Sequence, residues 1–106
     1  MFDFIKKMLF GEPVDYATII SQGAIILDVR STGEFESGHL KGSLNIPVNR
    51  LGNSMTKLKD KEKPIIACCA FGARSASAVS MLKRAGYTNV HNGGSWTSLR
   101  KFYNKK

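Results

Sequence analysis

Two adjacent cysteines, Cys68 and Cys69, offer the most chemistry in this chain. Sequence neighbours cannot tie two distant elements together, and no C-x2-C or comparable zinc spacing is present. Neither a disulfide scaffold nor a metal site is therefore expected. A thiol can instead act as a nucleophile, and the thiolate is the reactive form. The residues after Cys69 suit that use. Cys69-Ala70-Phe71-Gly72-Ala73-Arg74-Ser75 sets a glycine and an arginine close behind the sulfur.

The elements around this stretch decide whether the sulfur is presented. Pro64-Ile65-Ile66-Ala67-Cys68 is a continuous apolar run and predicts a strand buried on both faces, as in a parallel sheet. That strand delivers Cys69 to the C-terminal edge of the sheet, where open α/β sheets place their sites. Loop N–H groups can curl round the sulfur as an anion nest, and Gly72 supplies a positive φ if the curl demands one. A helix over Ser75 to Ala85 adds partial positive charge at its start, and Arg74 adds a full charge. All of these favour thiolate. Cys68 points to the opposite face of the strand. Core packing is its expected role, and a resolving thiol that guards Cys69 against over-oxidation is the alternative.

The rest of the chain alternates strands and helices, which predicts an α/β domain with a mainly parallel sheet. Asp15 caps a short helix through Ser21. Ala24-Ile25-Ile26-Leu27 forms a buried strand ending at Asp28, and Thr32 to Ser37 a helical turn stopped by Gly38. Ser43 to Ile46 is a second strand. Residues 49–59 read as an amphipathic helix with Leu51, Met55 and Leu58 inward. Thr88 to Val90 is a further strand, Asn92-Gly93-Gly94 a tight turn, and Ser95 the cap of a last helix carrying Trp96, Leu99 and Phe102. His39 is expected to make structural hydrogen bonds, and Trp96 to serve as core or pocket wall.

Composition bounds the class. With 106 residues, 42% hydrophobic and 23% charged, the chain suits one soluble globular domain rather than a disordered or fibrous one. No apolar run reaches the roughly 18 residues of a membrane span, so no stable membrane insertion is expected. The net charge of +8 is unevenly spread: residues 1–53 hold five basic and six acidic residues, residues 54–106 eleven and two. Such a field can attract anionic substrates or acidic partners, or be a solvated surface. No recognition-helix motif accompanies it, and nucleic acid is not an expected partner. Residues 1–13 read as a separate N-terminal extension, a short helix through Phe2, Ile5 and Leu9 that packs on the domain or lies on a membrane surface. It lacks signal-peptide features, which leads to a cytoplasmic expectation.

The Cys69–Ser75 loop resembles the C-x-x-G-x-R-S loop of the rhodanese-like sulfurtransferases. Two further stretches agree and fall in that family's order. Leu27-Asp28-Val29-Arg30-Ser31-Thr32-Gly33-Glu34-Phe35-Glu36-Ser37-Gly38-His39-Leu40, followed by Asn45-Ile46-Pro47, is similar to its N-terminal signature. Asn92-Gly93-Gly94-Ser95-Trp96 is similar to its C-terminal segment. The set spans about residues 14–102 and is far more specific than the loop alone.

The resemblance implies one rhodanese-like domain over residues 14–106, with a five-stranded, mainly parallel sheet and helices on both faces. It implies a sulfurtransferase in which Cys69 accepts a sulfane sulfur from thiosulfate, a polysulfide or a persulfide, becomes a persulfide, and passes the sulfur to cyanide or a thiol. The catalytic pair would be Cys69 and Arg74. Ala70, Phe71, Gly72, Ala73 and Ser75 would form the substrate loop, with Asp28 and Arg30 as hydrogen-bonding and ion-pair support. No cofactor is implied. The expected partners are a small anionic sulfur donor or a protein persulfide, with glutathione or thioredoxin as possible acceptors. Ala70, Phe71 and Ala73 carry no charge, so poor thiosulfate turnover is expected. Two other readings stand beside this one. One is a non-catalytic rhodanese module that binds a protein partner. The other is a phosphatase or arsenate-reductase-like thiol enzyme, disfavoured because related phosphatases place five residues between cysteine and arginine where this loop places four.

Overall fold

A computed structural model describes residues 14–103. The expected extension over residues 1–13 and the last three residues of the tail lie outside this range. Helix α1 (Tyr16–Ser21) begins where predicted, with the Asp15 carboxylate accepting from the Thr18 N–H at 3.1 Å and the Thr18 hydroxyl at 2.7 Å. Strand β1 (Ile25–Asp28) follows, then α2 (Thr32–Ser37). Helix α2 is short and has no buried residue, so its start depends on a capping box. Ser31 Oγ accepts the Glu34 N–H at 3.2 Å, and the Glu34 carboxylate accepts the Ser31 N–H at 3.0 Å. Strand β2 is reduced to Leu44–Asn45.

The expected helix over residues 49–59 is replaced by two 3-10 segments, Val48–Asn53 and Met55–Lys57. Gly52, Asn53 and Ser54 are weak helix formers that interrupt the stretch. Leu51 and Leu58 still turn inward and are buried, with Met55 half-buried beside them. Strand β3 (Ile65–Cys69) is buried at every position, and helix α3 (Ala73–Arg84) follows it. Strand β4 runs over Val90–Ser95 rather than the expected Thr88 to Val90, and leads into a 3-10 segment at Trp96–Phe102, where an ordinary helix was expected.

The strands lie in the order β2-β1-β3-β4, all parallel. Four strands, not the five implied by the resemblance, occur among the described residues. Period-2 alternation sorts the side chains onto two faces. Leu27, Ala67 and Cys69 meet Leu51, Leu58 and the Ala78 and Leu82 of α3 on one face. Ile26, Ile66 and Cys68 meet Leu99 and the Ile19 and Ile20 of α1 on the other. Helices therefore cover both faces, as expected, and the two cysteines belong to different cores.

Asn92-Gly93-Gly94 is not a tight turn but part of β4. Ala67 pairs with Asn92 and Cys68 with Gly94, so Gly93 is an extra residue in the ladder, a β-bulge. The turn-forming residues were legible, but a bulge uses the same chemistry. A Cβ on Gly93 would lie 2.7 Å from Ile66 Cγ2 and 3.0 Å from Leu99 Cδ1. Only glycine lets the strand pass so close to the core. Gly93→Ala is expected to destabilise the protein by about 1–3 kcal/mol through overpacking. A lower midpoint in urea denaturation would show this, and an unchanged midpoint would mean the core yields at that point.

Candidate active site

Strand β3 ends at Cys69, and only Ala70, Phe71 and Gly72 separate it from α3. The chain must reverse within these residues. Gly72 does so at φ +103°, in the region that favours glycine, and its N–H then points back at Cys69 Sγ from 2.9 Å. The first turn of α3 adds the Ser75 N–H at 3.4 Å. The Ser75 hydroxyl lies 3.4 Å from Sγ and 2.6 Å from Asn92 Oδ1. Burial pushes the Cys69 thiol up. Hydrogen bonds from Ser75 and from the Gly72 and Phe71 N–H groups outweigh it and hold the group below the usual cysteine value. The expected nest is formed, with the sulfur at its floor and Cys69 only 1% exposed.

Cys68 provides the contrast. It lies on the other face, fully buried, and its thiol is pushed up to about 12 by burial and then by the negative Asp28. At neutral pH it is a small core side chain.

Arg74 is placed differently from the simplest expectation. Its Nη1 and Nη2 donate to the two carboxylate oxygens of Glu34 at 2.7 and 3.0 Å, at the rim of the loop. The guanidinium braces α3 against α2, and the hydrogen bonds donated to the sulfur come from the Gly72 and Ser75 N–H groups, with the Ser75 hydroxyl oxygen in contact beside them. Arg74, followed by the Ser31 N–H, lowers the Glu34 carboxyl from 4.5 to about 2. A depressed carboxyl stabilises the fold above its unfolded value and loses that contribution as pH falls toward the folded one. The bridge is thus intact throughout the neutral range.

Asp28 and Arg30 form the expected ion pair, buried at the end of β1. Arg30 Nε and Nη2 grip the Asp28 carboxylate at 2.7 to 3.1 Å. Nη2 also donates to the Gly38 carbonyl at 2.7 Å, and the guanidinium lies 4.6 Å from the centroid of the Trp96 ring. The pair fixes α2 and makes no hydrogen bond to Cys69 Sγ. Ala70 is half-buried and Ala73 exposed, while Phe71 is 94% exposed. His39 has Nδ1 2.7 Å from the Phe35 carbonyl and stacks on the Phe35 ring, the structural role expected of it.

Two residues of the site were not singled out from sequence. Glu34 carried a readable signal, the S-x-x-E capping spacing, but its Arg74 partner lies 40 residues away. Asn92 pins the nest from behind. Its Oδ1 accepts the Ser75 hydroxyl and the Gly94 N–H, its Nδ2 donates to the Gly72 carbonyl, and its own carbonyl accepts the Tyr16 hydroxyl. The bond to Gly94 is the Asx geometry that made the stretch look like a free turn. Among the described residues no group of three or more His, Cys, Asp or Glu side chains gathers as a metal site would require.

Residues 12–99 match the rhodanese-like domain. The chain belongs to the rhodanese-like family. A putative mitochondrial thiosulfate sulfurtransferase of Schizosaccharomyces pombe is 34% identical, covering 71% of this chain and 62% of its own length. Thiosulfate sulfurtransferase GlpE of Pseudomonas savastanoi is 29% identical over 76% of this chain and 74% of its own. The chain spans 54% of the Bacillus subtilis protein YqhL, to which it is 35% identical. Among solved structures, a rhodanese-related protein of Thermoplasma volcanium superposes with a TM-score of 0.67 at 32% identity, covering 82% of this chain and 85% of the other. An Escherichia coli rhodanese with anions gives 0.63 at 29% identity, covering 70% and 88%.

The two thiols of this rhodanese-like domain should titrate far apart. Iodoacetamide labelling followed against pH is expected to show Cys69 reacting with a midpoint below that of free cysteine, and Cys68 unreactive in the folded protein. Ser75→Ala removes one of the bonds to the sulfur and is expected to move the Cys69 midpoint upward. An unmoved midpoint would assign the thiolate entirely to the backbone N–H groups.

Proposed function

We propose that this protein is a sulfurtransferase that carries a sulfane sulfur on Cys69. The observation that carries the reading is the nest itself, with N–H groups and the Ser75 hydroxyl converging on a cysteine sulfur whose thiol is held below the usual value. The thiolate attacks the outer sulfur of a donor, and the donor's remaining group leaves with the electron pair. Cys69 then bears Sγ–S–H, or its anion, and the loop N–H groups are placed to hold the terminal sulfur. An acceptor thiolate or cyanide next attacks that sulfur, and the electron pair of the Sγ–S bond returns to Cys69. Two displacements through one covalent intermediate give ping-pong kinetics.

The same geometry supports a sulfur rather than a phosphoryl substrate. The Gly72 N–H lies 2.9 Å from Sγ, so the loop closes on the sulfur itself. It also supports a persulfide or polysulfide donor over thiosulfate. The uncharged Ala70, Phe71 and Ala73 add no cation, and Glu34 already takes the Arg74 charge. Phe71, nearly fully exposed, favours a second reading, a rhodanese module that docks a protein partner through the loop tip.

Intact-protein mass spectrometry after incubation with a polysulfide and, separately, with thiosulfate tests the reading. A gain of one sulfur, removable by cyanide, is expected with the polysulfide in wild type and Cys68→Ser but not in Cys69→Ser. No gain from either donor would overturn catalysis in favour of the docking module. Donor preference has its own test. Glu34→Gln preserves the capping box, since glutamine serves at that position, but releases the Arg74 charge. It is expected to raise kcat/KM for thiosulfate several-fold relative to the polysulfide. A higher kcat/KM for thiosulfate than for polysulfide in the wild type would sink the preference.

A further inference from the structure

The Ser75 hydroxyl has one proton and three acceptors within reach. Asn92 Oδ1 lies 2.6 Å from Ser75 Oγ, the Gly72 carbonyl 3.1 Å and Cys69 Sγ 3.4 Å. Asn92 can only accept there. Its Oδ1 also takes the Gly94 N–H at 2.9 Å, while its Nδ2 donates to the Gly72 carbonyl at 3.2 Å. Those two bonds fix which end of the amide is oxygen. The Ser75 proton therefore rests on Asn92, and a neutral Cys69 thiol donates its own hydrogen to Ser75 Oγ. Ser75 is fully buried, so its proton must go to one of these protein acceptors. Asn92 is itself held by the Tyr16 hydroxyl, which donates to its carbonyl at 2.7 Å. The contest changes once the sulfur is ionised. A hydrogen bond to a charged acceptor is roughly twice as strong as one to a neutral acceptor, and the hydroxyl reaches Sγ by turning about its own Cβ–Oγ bond.

We propose that Asn92 is a positioning residue that competes with the Cys69 sulfur for the Ser75 proton, holding it while Sγ is neutral and yielding it when Sγ is negative. The inference rests on the sulfur-transfer reading above for the step at which that charge returns. An acceptor thiolate attacks the terminal sulfur of Cys69 Sγ–S–H and forms a new S–S bond. The Sγ–S bond breaks, its electron pair goes to Sγ, and the persulfide proton leaves with the transferred sulfur. The Ser75 hydroxyl then turns to Sγ with its O–H bond intact, and Asn92 Oδ1 keeps the Gly94 N–H. In the loading step Sγ becomes neutral and the hydroxyl turns back. The Gly72 and Ser75 N–H groups are fixed donors, and the hydroxyl is the donor that follows the charge. Among the described residues, the charged groups round the site are Arg74 of α3, bonded to Glu34 of α2, and the Asp28–Arg30 pair at the end of β1. Cys68 points to the opposite face, and His91 of β4 has Nε2 2.7 Å from Asn89 Oδ1. The 3-10 segment Val48–Asn53 turns Leu51 to the Cys69 core and leaves Arg50 exposed. A substitution at Asn92 changes the charge of none of these.

Iodoacetamide labelling of Cys69 against pH, on the full chain, tests this. If Asn92 only pinned the loop, Asn92→Leu would loosen the nest and raise the labelling midpoint. Competition for the proton gives the opposite sign. Leucine fills the place without an acceptor, the hydroxyl is released to the sulfur, and the midpoint falls by about one pH unit, the size of one hydrogen bond to a charged group. In a Ser75→Ala background the same substitution should bring no fall. An unmoved or raised midpoint in Asn92→Leu, or an equal fall in both backgrounds, would overturn the proposal. A second measurement leaves Asn92 in place and so does not depend on that variant folding. The carbon-13 NMR shift of the Asn92 side-chain carbonyl should follow the Cys69 titration in wild type and lose most of that response in Ser75→Ala. A carbonyl that ignores the titration, or responds equally in both proteins, would overturn the proposal. The transfer step has its own readout, single-turnover discharge of polysulfide-loaded Cys69 by cyanide. Asn92→Leu should speed it several-fold, because a better stabilised thiolate leaves faster, and an unchanged or slower discharge would overturn the proposal. If wild-type Cys69 never loads, the sulfur-transfer reading itself fails, and labelling and NMR still decide the competition.

Discussion

The arrangement of the site depends on a pair of charges removed from water. Asp28 and Arg30 are almost fully buried at the end of β1, where an unpaired charge would be costly. Each satisfies the other, and the remaining donors of Arg30 reach the Glu34 and Gly38 carbonyls. One guanidinium thus ties the strand end to both the first and the last turn of α2. Helix α2 is too short to be stabilised by a buried face of its own, so this tether and its capping box set its position. That position places Glu34, Glu34 takes Arg74, and Arg74 fixes the first turn of α3. The Ser75 N–H that faces the sulfur belongs to that turn. Breaking such a buried pair costs about 3–5 kcal/mol in general, and here the loss would reach the sulfur through α2.

The two cysteines show how little separates a reactive thiol from an inert one. They are chain neighbours of the same type, both shielded from solvent. Cys68 sits within the ladder facing Ile66 and Leu99, next to Asp28 on the neighbouring strand, and its thiolate is disfavoured by burial and by that charge. Cys69 sits one position on, where the chain leaves the sheet and its following N–H groups need partners. The loop satisfies two of those groups, Gly72 and Ser75, on the sulfur itself. Desolvation raises both thiols, and the direction of the net shift is decided by whether orphan donors at a helix start point at the sulfur.

The first three strands and the nest were legible because their signals are local. A continuous apolar run followed by Cys-x-x-Gly needs nothing beyond its own residues to predict a buried strand, a tight reversal and a helix start. The parts that were not legible depend on contacts distant in sequence or on chemistry shared by two structures. Leu51, Met55 and Leu58 are spaced for an α-helix, and the inward turning of Leu51 and Leu58 held, but two 3-10 turns joined at Ser54 bring the same residues inward. Asn92-Gly93-Gly94 has turn composition, yet only the closeness of Ile66 and Leu99 shows why glycine sits in a bulged strand there. The claim of Glu34 on Arg74 crosses from one side of the loop to the other and has no signature at either end. A fifth strand came from the resemblance alone and has no counterpart among the described residues.

The basic second half of the chain shows the same gap between sequence and site. Its excess of charge suggests a field that draws anions to the nucleophile. Lys57 to Lys63 instead precede β3, and Lys83 and Arg84 close α3, which returns antiparallel to the strand. These residues gather at the N-terminal edge of the sheet, the end opposite Cys69. There Lys61 donates to the Ala85 carbonyl at 2.9 Å, where a helix C-terminus favours cations. With a Debye length of about 8 Å at physiological salt, exposed charges at the far edge are largely screened from the sulfur. Recognition of an anion at Cys69 must therefore come from groups on its own edge. The N–H groups of the nest hold the reacting sulfur, and Arg74, shared with Glu34, stands at the rim.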